Sequence, residues 1–251
     1  VPGRKSAWLP DQHGAWAMLA VPFLAGTWIA PRPGWPHAAL FAAWLLGYAA
    51  VFHGQQWLRL RRVARRRPDA AARHVRPALV LGAACAALGA PLAAAYPWLL
   101  LAAAAAAPFV AVNTWYARQG RERALANGLA AVVPACGMLL VAAGLGAVPA
   151  AAAWRPALAC LLYFAGTVPY VKTMIRERNS RGYRRASVAC HAAALAVAVC
   201  LSPWLAIPFT AYLARAALLP GRALRPPVVG AIEIACSAAL LATLVLVFGG
   251  G

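Results

Sequence analysis

Arg59-Leu-Arg-Arg-Val-Ala-Arg-Arg-Arg-Pro-Asp-Ala-Ala-Ala-Arg-His-Val-Arg76 lies between two apolar runs, 37–57 and 78–95, that contain no Lys, Arg, Asp or Glu. A helix needs about 20 residues to cross the hydrocarbon of a bilayer, so the cationic stretch reads as the loop between two membrane helices. The alternation continues along the whole chain. Of 24 Lys and Arg residues, 22 fall in alternate gaps between apolar runs, and only Arg32 and Arg155 fall in the others. Short Lys/Arg-rich loops stay in the cytoplasm during insertion. The clusters Arg4–Lys5, Arg59–Arg76, Arg118–Arg123, Lys172–Arg185 and Arg215–Arg225 are therefore assigned to that side.

Nine segments are expected to span the membrane, near 14–30, 37–57, 78–95, 97–116, 124–145, 153–171, 186–202, 204–219 and 227–248. The fold class expected is all-α, a polytopic membrane protein of about nine transmembrane helices forming one integral membrane domain over 1–251. An odd count places the N-terminus in the cytoplasm and the C-terminus outside. The turns at Tyr96-Pro97, Gly146–Ala152 and Ser202-Pro203 are brief, which makes the helices they join antiparallel neighbours. Asp11, Gln12 and His13 precede the first apolar run and no small-residue cleavage site follows it, so that span is expected to be retained.

Composition agrees: 63% of the 251 residues are hydrophobic, 12% are charged and the mean hydropathy is +0.67, too apolar for a soluble domain. The net charge of +19 does not point to nucleic acid, because the cations are segregated between apolar runs. Anionic lipid headgroups are the expected partner. All six cysteines lie inside apolar runs without a CxxC pair, so neither a disulfide framework nor a zinc site is expected. Pro22, Pro91, Pro108, Pro134, Pro169 and Pro208 fall within or near spans, where proline removes a backbone hydrogen bond and can bend a helix to open a cavity. Small residues, as in Ala102–Ala107 and Ala192–Ala198, let backbones approach closely.

Polar groups near the bilayer are costly, and so mark function best. Almost all sit at the basic ends of spans. Asp11, His13 and Trp16 open the first span; His53 and Gln56 close the second; Asn113 closes the fourth, with Arg123 and Asn127 after it. Tyr170, Lys172 and Arg176 end the sixth span, and Arg184, Ser187 and His191 form a stripe at the start of the seventh. Glu122 is expected to pair with a neighbouring arginine. Glu233 differs, since it lies about two turns into the last span and needs a partner there.

Leu9-Pro-Asp-Gln-His-Gly-Ala-Trp-Ala-Met-Leu-Ala-Val-Pro22 resembles the opening signature of the YwiC-like family of bacterial integral membrane proteins. Arg121-Glu-Arg-Ala-Leu-Ala-Asn127 and Phe164-Ala-Gly-Thr-Val-Pro-Tyr-Val-Lys-Thr-Met-Ile-Arg-Glu-Arg178 resemble two later blocks, with Gly128 standing where an acidic residue is expected. The resemblance implies the bacterial cytoplasmic membrane and supplies no reaction. A more distant similarity is to UbiA-type intramembrane prenyltransferases, whose nine helices surround a cytoplasm-facing cavity where two Asp-rich motifs hold magnesium on a prenyl diphosphate. At the corresponding places this chain has His53-Gly-Gln-Gln56 and Tyr170–Arg178, without the aspartates.

Magnesium prefers carboxylate and phosphate oxygens, and the chain holds only five Asp and Glu. No metal or other cofactor is therefore expected. Lys172 and Arg176 can hold an anion directly through charge-assisted hydrogen bonds. The function expected is binding of an anionic amphiphile, lipid or isoprenoid, in a cytoplasm-facing cavity. Asp11, His13, Trp16, His53, Gln56, Asn113, Arg123, Asn127, Tyr170, Lys172 and Arg176 would surround it. His13 and His53 are the candidates for proton transfer, and Asn113 and Asn127 would position the ligand. No nucleophile–base pair is evident, and whether the protein is an enzyme stays open. A small-solute transporter and a membrane assembly partner are the alternatives.

Overall fold

The computed structural model describes residues 8–10, 13–63, 68–222 and 224–249. Among them the chain is helical, without strands: α1 (His13–Ile29), α2 (Trp35–Val63), α3 (Pro68–Ala72), α4 (Val75–Ala95), α5 (Trp98–Arg118), α6 (Leu125–Leu145), α7 (Ala150–Ile175), α8 (Arg181–Leu201), a 3-10 turn at Pro203–Leu205, α9 (Ala206–Leu218) and α10 (Pro226–Phe248). The long helices fall where the apolar runs predict them. The protein is an all-α polytopic membrane protein.

Among the described residues, seven helical segments are long and apolar enough to cross a membrane. The other two expected spans are shorter: α1 has 17 residues and α9 has 13. At about 1.5 Å per residue these reach about 26 and 20 Å, against a hydrocarbon core of about 30 Å. Local sequence explains the short α9. Ser202-Pro203 ends α8, and Leu219-Pro-Gly221 closes α9, with Gly221 at φ +97°. α2 is longer than expected, because Arg59–Val63 continues its helix beyond the apolar run. Arg and Leu are strong helix formers, and long arginine side chains carry their charge toward water.

The helices continue through Pro22, Pro91, Pro108, Pro134 and Pro169. Pro208 instead occupies the first turn of α9, where a missing N–H costs no intrahelical bond.

The helices pack as two compact units. The first contains the described residues of Val1–Gln12 and Gly34–Ala131, and the second those of His13–Pro33 and Val132–Gly251. In the first unit α2 packs on α4 and α5, with Ala43, Ala49, His53 and Leu92 buried. The outer faces are apolar: Leu79, Leu100 and Leu101 are 60–74% exposed. Leaving such side chains in water forgoes roughly 1.5–3 kcal/mol each, so lipid is the solvent that fits these helices.

The second unit is the better packed. Leu139, Cys160, Tyr163, Phe209, Tyr212, Leu240 and Leu244 form its core, from α6, α7, α9 and α10. Gly26 lets α1 reach α6, since a Cβ there would run into the Leu139 carbonyl.

Candidate functional site

In the first unit, polar side chains near the basic helix ends form a hydrogen-bonded network. Asn113 on α5 donates to the Asn127 side-chain oxygen at 2.8 Å and to its backbone carbonyl at 3.0 Å. The Asn127 amide in turn donates to the Glu122 carbonyl at 2.7 Å. Arg59 on α2 pairs with the Glu122 carboxylate at 2.9 Å and donates to Gln56 at 3.4 Å. Glu122 thus has an arginine partner from another helix. Together these contacts tie α2 to the turn between α5 and α6. Arg123 is exposed beside them.

His53 is buried, with Nδ1 at 2.8 Å from His74 Nδ1 and Nε2 at 3.1 Å from the Trp8 carbonyl. A carbonyl only accepts, so Nε2 carries the proton and His74 donates to His53 Nδ1. Both ring nitrogens are thus engaged. This arrangement clamps the residues before α1 to α2.

In the second unit the basic residues between α7 and α8 have two kinds of work. Arg178 donates to the Met174 carbonyl at 2.6 Å and the Leu224 carbonyl at 3.1 Å, and Arg184 donates to the Ala217 carbonyl at 2.9 Å. Met174 and Ala217 lie in the last turns of α7 and α9, whose carbonyls lack helical partners. These two arginines therefore secure helix ends. Arg181 and Arg185 are one turn apart on α8, whose start is capped by Ser180 accepting from the Tyr183 amide at 3.3 Å. With Arg184, Val188 and Ala189, all on α8, they line an open groove of about 570 Å³, cationic toward the start of the helix and apolar one turn further on. Lys172 lies 5.9 Å from the Tyr183 ring, and Arg176 is exposed at the end of α7.

Beneath this surface lies a buried ion pair. Arg215 on α9 donates to the Glu233 carboxylate on α10, which supplies the partner that Glu233 requires. The guanidinium carbon is 4.3 Å from the Tyr170 ring centre and 5.6–5.7 Å from those of Tyr212 and Tyr163. His191 on α8 sits between a carbonyl and the cation: its Nδ1 is 2.8 Å from the Ser187 oxygen and its Nε2 is 3.4 Å from Arg215 Nη2. Nδ1 thus carries the proton and Nε2 accepts from the guanidinium. Gly166 makes room for that imidazole, since a Cβ there would lie 3.3 Å from the ring. The Tyr163 hydroxyl bonds Ser237 at 3.1 Å, and the Tyr212 hydroxyl donates to the Cys236 carbonyl at 2.9 Å.

Of the residues expected at the site, Gln56, Asn113 and Asn127 come together through Arg59 and Glu122. Tyr170 turns inward onto Arg215, away from Lys172 and Arg176 two and six positions on. Trp16 is half-buried on α1. Asp11 and the His13 side chain lie outside the described residues. Arg215, Tyr163, Tyr212 and Ser237 are the members that sequence reasoning misses. The available signal is charge balance: Glu233 is the one acid within the last span, and Arg215 closes the helix before it.

The model of the YwiC-like protein family matches residues 9–143. This region includes the first two family-like blocks, and Phe164–Arg178 lies beyond it. An "Uncharacterized protein" of Haemophilus influenzae is 31% identical over 239 residues, 92% of this chain and 94% of its own length. "Uncharacterized protein YwiC" of Bacillus subtilis is 31% identical over 186 residues, 70% of this chain and 71% of its own. Neither the family match nor these relatives extend the likeness to the UbiA-type enzymes. No solved structure matches the chain significantly.

Proposed function

The chain belongs to the YwiC-like family, and from that premise and the groove at the start of α8 we propose a membrane protein that holds the headgroup of an anionic amphiphile, lipid or isoprenoid, at its cytoplasmic face. The observation that carries this reading is the lining of the groove, where Arg181 and Arg185 stand beside Val188 and Ala189. An arginine fork matches phosphate or carboxylate in geometry as well as charge. The apolar side of the groove suits the start of an acyl or prenyl tail. Lys172 and Arg176 extend the cationic surface along α7.

Orientation follows from the same residues. The Arg/Lys clusters mark one set of helix ends; exposed Trp28, Trp35, Trp98, Trp154 and Trp204 lie at the other ends, and exposed Trp115 lies at a basic one beside Arg118. Tryptophan favours the headgroup level at either face, so the indoles mark the depth of both interfaces and the cationic loops alone carry the orientation.

Native mass spectrometry of the detergent-purified protein tests the reading. The wild type is expected to retain an anionic lipid or to take up an added prenyl diphosphate without magnesium. Arg181→Gln/Arg185→Gln is expected to lose it, and Lys172→Ala/Arg176→Ala to weaken it. Equal retention by wild type and the Arg181/Arg185 variant would show that the cations serve topology alone.

A further inference from the structure

Five buried polar atoms of the second unit, two of them on one ion pair, make no hydrogen bond among the described residues. They are Arg215 Nε, the second carboxylate oxygen of Glu233, and the hydroxyls of Tyr170 and Thr167 beside the pair and of Ser187, whose carbonyl holds His191 against Arg215. Thr167 approaches the Glu233 carboxylate without meeting hydrogen-bond geometry. The side chains of Arg215 and Glu233 are only 4% and 9% exposed. Each such atom left without a partner costs about 1–3 kcal/mol, and more where the group is charged. Proteins rarely concentrate that cost in one place unless something else meets it. Helical rise places Glu233 about 10 Å along α10 from its start. Ser187 lies on the buried face of α8, level with the groove-lining Arg185 and Val188, so the cluster sits inside the bundle, on the other side of α8 from the groove.

The charge of the cluster restricts its guest. Arg215 and Glu233 together are neutral. An added anion or cation would leave one net charge in a low-dielectric interior, which is expensive. A guest carrying both signs leaves none. The atoms awaiting partners are a guanidinium N–H, a carboxylate oxygen and three hydroxyls that can donate or accept. A carboxylate on the guest matches Arg215 Nε and the hydroxyls, and an ammonium matches the Glu233 oxygen, both through charge-assisted bonds.

We propose that the Arg215–Glu233 cluster is a binding site for a small zwitterionic solute of the amino-acid type, buried between α7, α8, α9 and α10. Tyr170 covers one face of the guanidinium and offers its hydroxyl to the solute carboxylate. His191, fixed by the Ser187 carbonyl, holds the far side of Arg215 in place. This site is separate in position and ligand from the surface groove, and it gives the protein a solute-handling role within the membrane.

The test is equilibrium binding of radiolabelled glycine, acetate and methylammonium to the full-length protein in lipid nanodiscs. These three share small size and differ in charge. Saturable glycine binding tighter than that of either ion is expected. Tyr170→Phe and Ser187→Ala remove hydroxyls that hold nothing among the described residues, so thermal unfolding stays at the wild-type temperature. Each is nevertheless expected to weaken glycine binding about tenfold, the size of one charge-assisted hydrogen bond. Absence of saturable glycine binding, tighter binding of acetate or methylammonium, or wild-type affinity in both variants would overturn the proposal.

Discussion

Two Arg–Glu pairs of the same chemistry occupy opposite settings. Arg59 and Glu122 expose 41% and 24% of their side chains, whereas Arg215 and Glu233 expose 4% and 9%. The first pair joins α2 to the turn after α5, where both side chains are partly exposed although the paired oxygen of Glu122 is itself covered. The second is enclosed by Tyr163, Tyr170, Tyr212 and His191, and neither partner can be solvated without the other. Burial turns an ordinary surface contact into a commitment of four helices.

The largest expected effect follows from breaking the buried pair on one side. Glu233→Ala leaves Arg215 charged and enclosed, at a cost of about 3–5 kcal/mol, readable as a large fall in unfolding temperature in detergent. Next is Gly166→Ala, whose Cβ meets the His191 ring. It is expected to destabilise by about 1–3 kcal/mol through crowding, with the loss reduced in Gly166→Ala/His191→Ala. Thermal unfolding of the single and double variants separates crowding from any backbone effect. In the first unit, Asn113→Ala removes both bonds to Asn127 and should cost about 1 kcal/mol in the same assay. Smallest is Arg59→Ala, expected to change stability by no more than about 1 kcal/mol and to lose even that at high salt. A large, salt-independent effect at Arg59 would erase the contrast between the two pairs.

The same contrast explains what is legible in the sequence. Hydrophobic runs bounded by arginine identify α4 and α5, because lipid-facing helices must be apolar along their length and need no particular neighbour. The limits of α9 are less visible. An apolar run rich in Ala and Leu does not distinguish a 13-residue helix from a longer one, and only Pro203 and Gly221 mark its bounds.

Sites are harder to read than spans. Cationic residues at helix ends are legible as a class, but their division of labour is tertiary: Arg178 secures carbonyls of other turns, Arg181 and Arg185 line the groove, and Arg184 does both. Glu233 stands out as an acid in need of a partner because a carboxylate inside an apolar run is costly. Its partner does not, because Arg215 sits near a basic helix end where positive charge already has a topological explanation. Tyr170 shows the same limit. It shares a sequence block with Lys172 and Arg176, yet helical rotation sends it into the core.

The most direct measurement is a pair of double-mutant cycles in one detergent, Arg215→Met with Glu233→Leu and Arg59→Met with Glu122→Leu, followed by thermal unfolding. A coupling of about 3 kcal/mol or more is predicted for the buried pair, with the double variant recovering most of the stability lost by either single one, and less than about 1 kcal/mol for the exposed pair. Equal couplings, or additive losses at Arg215 and Glu233, would contradict the contrast between them.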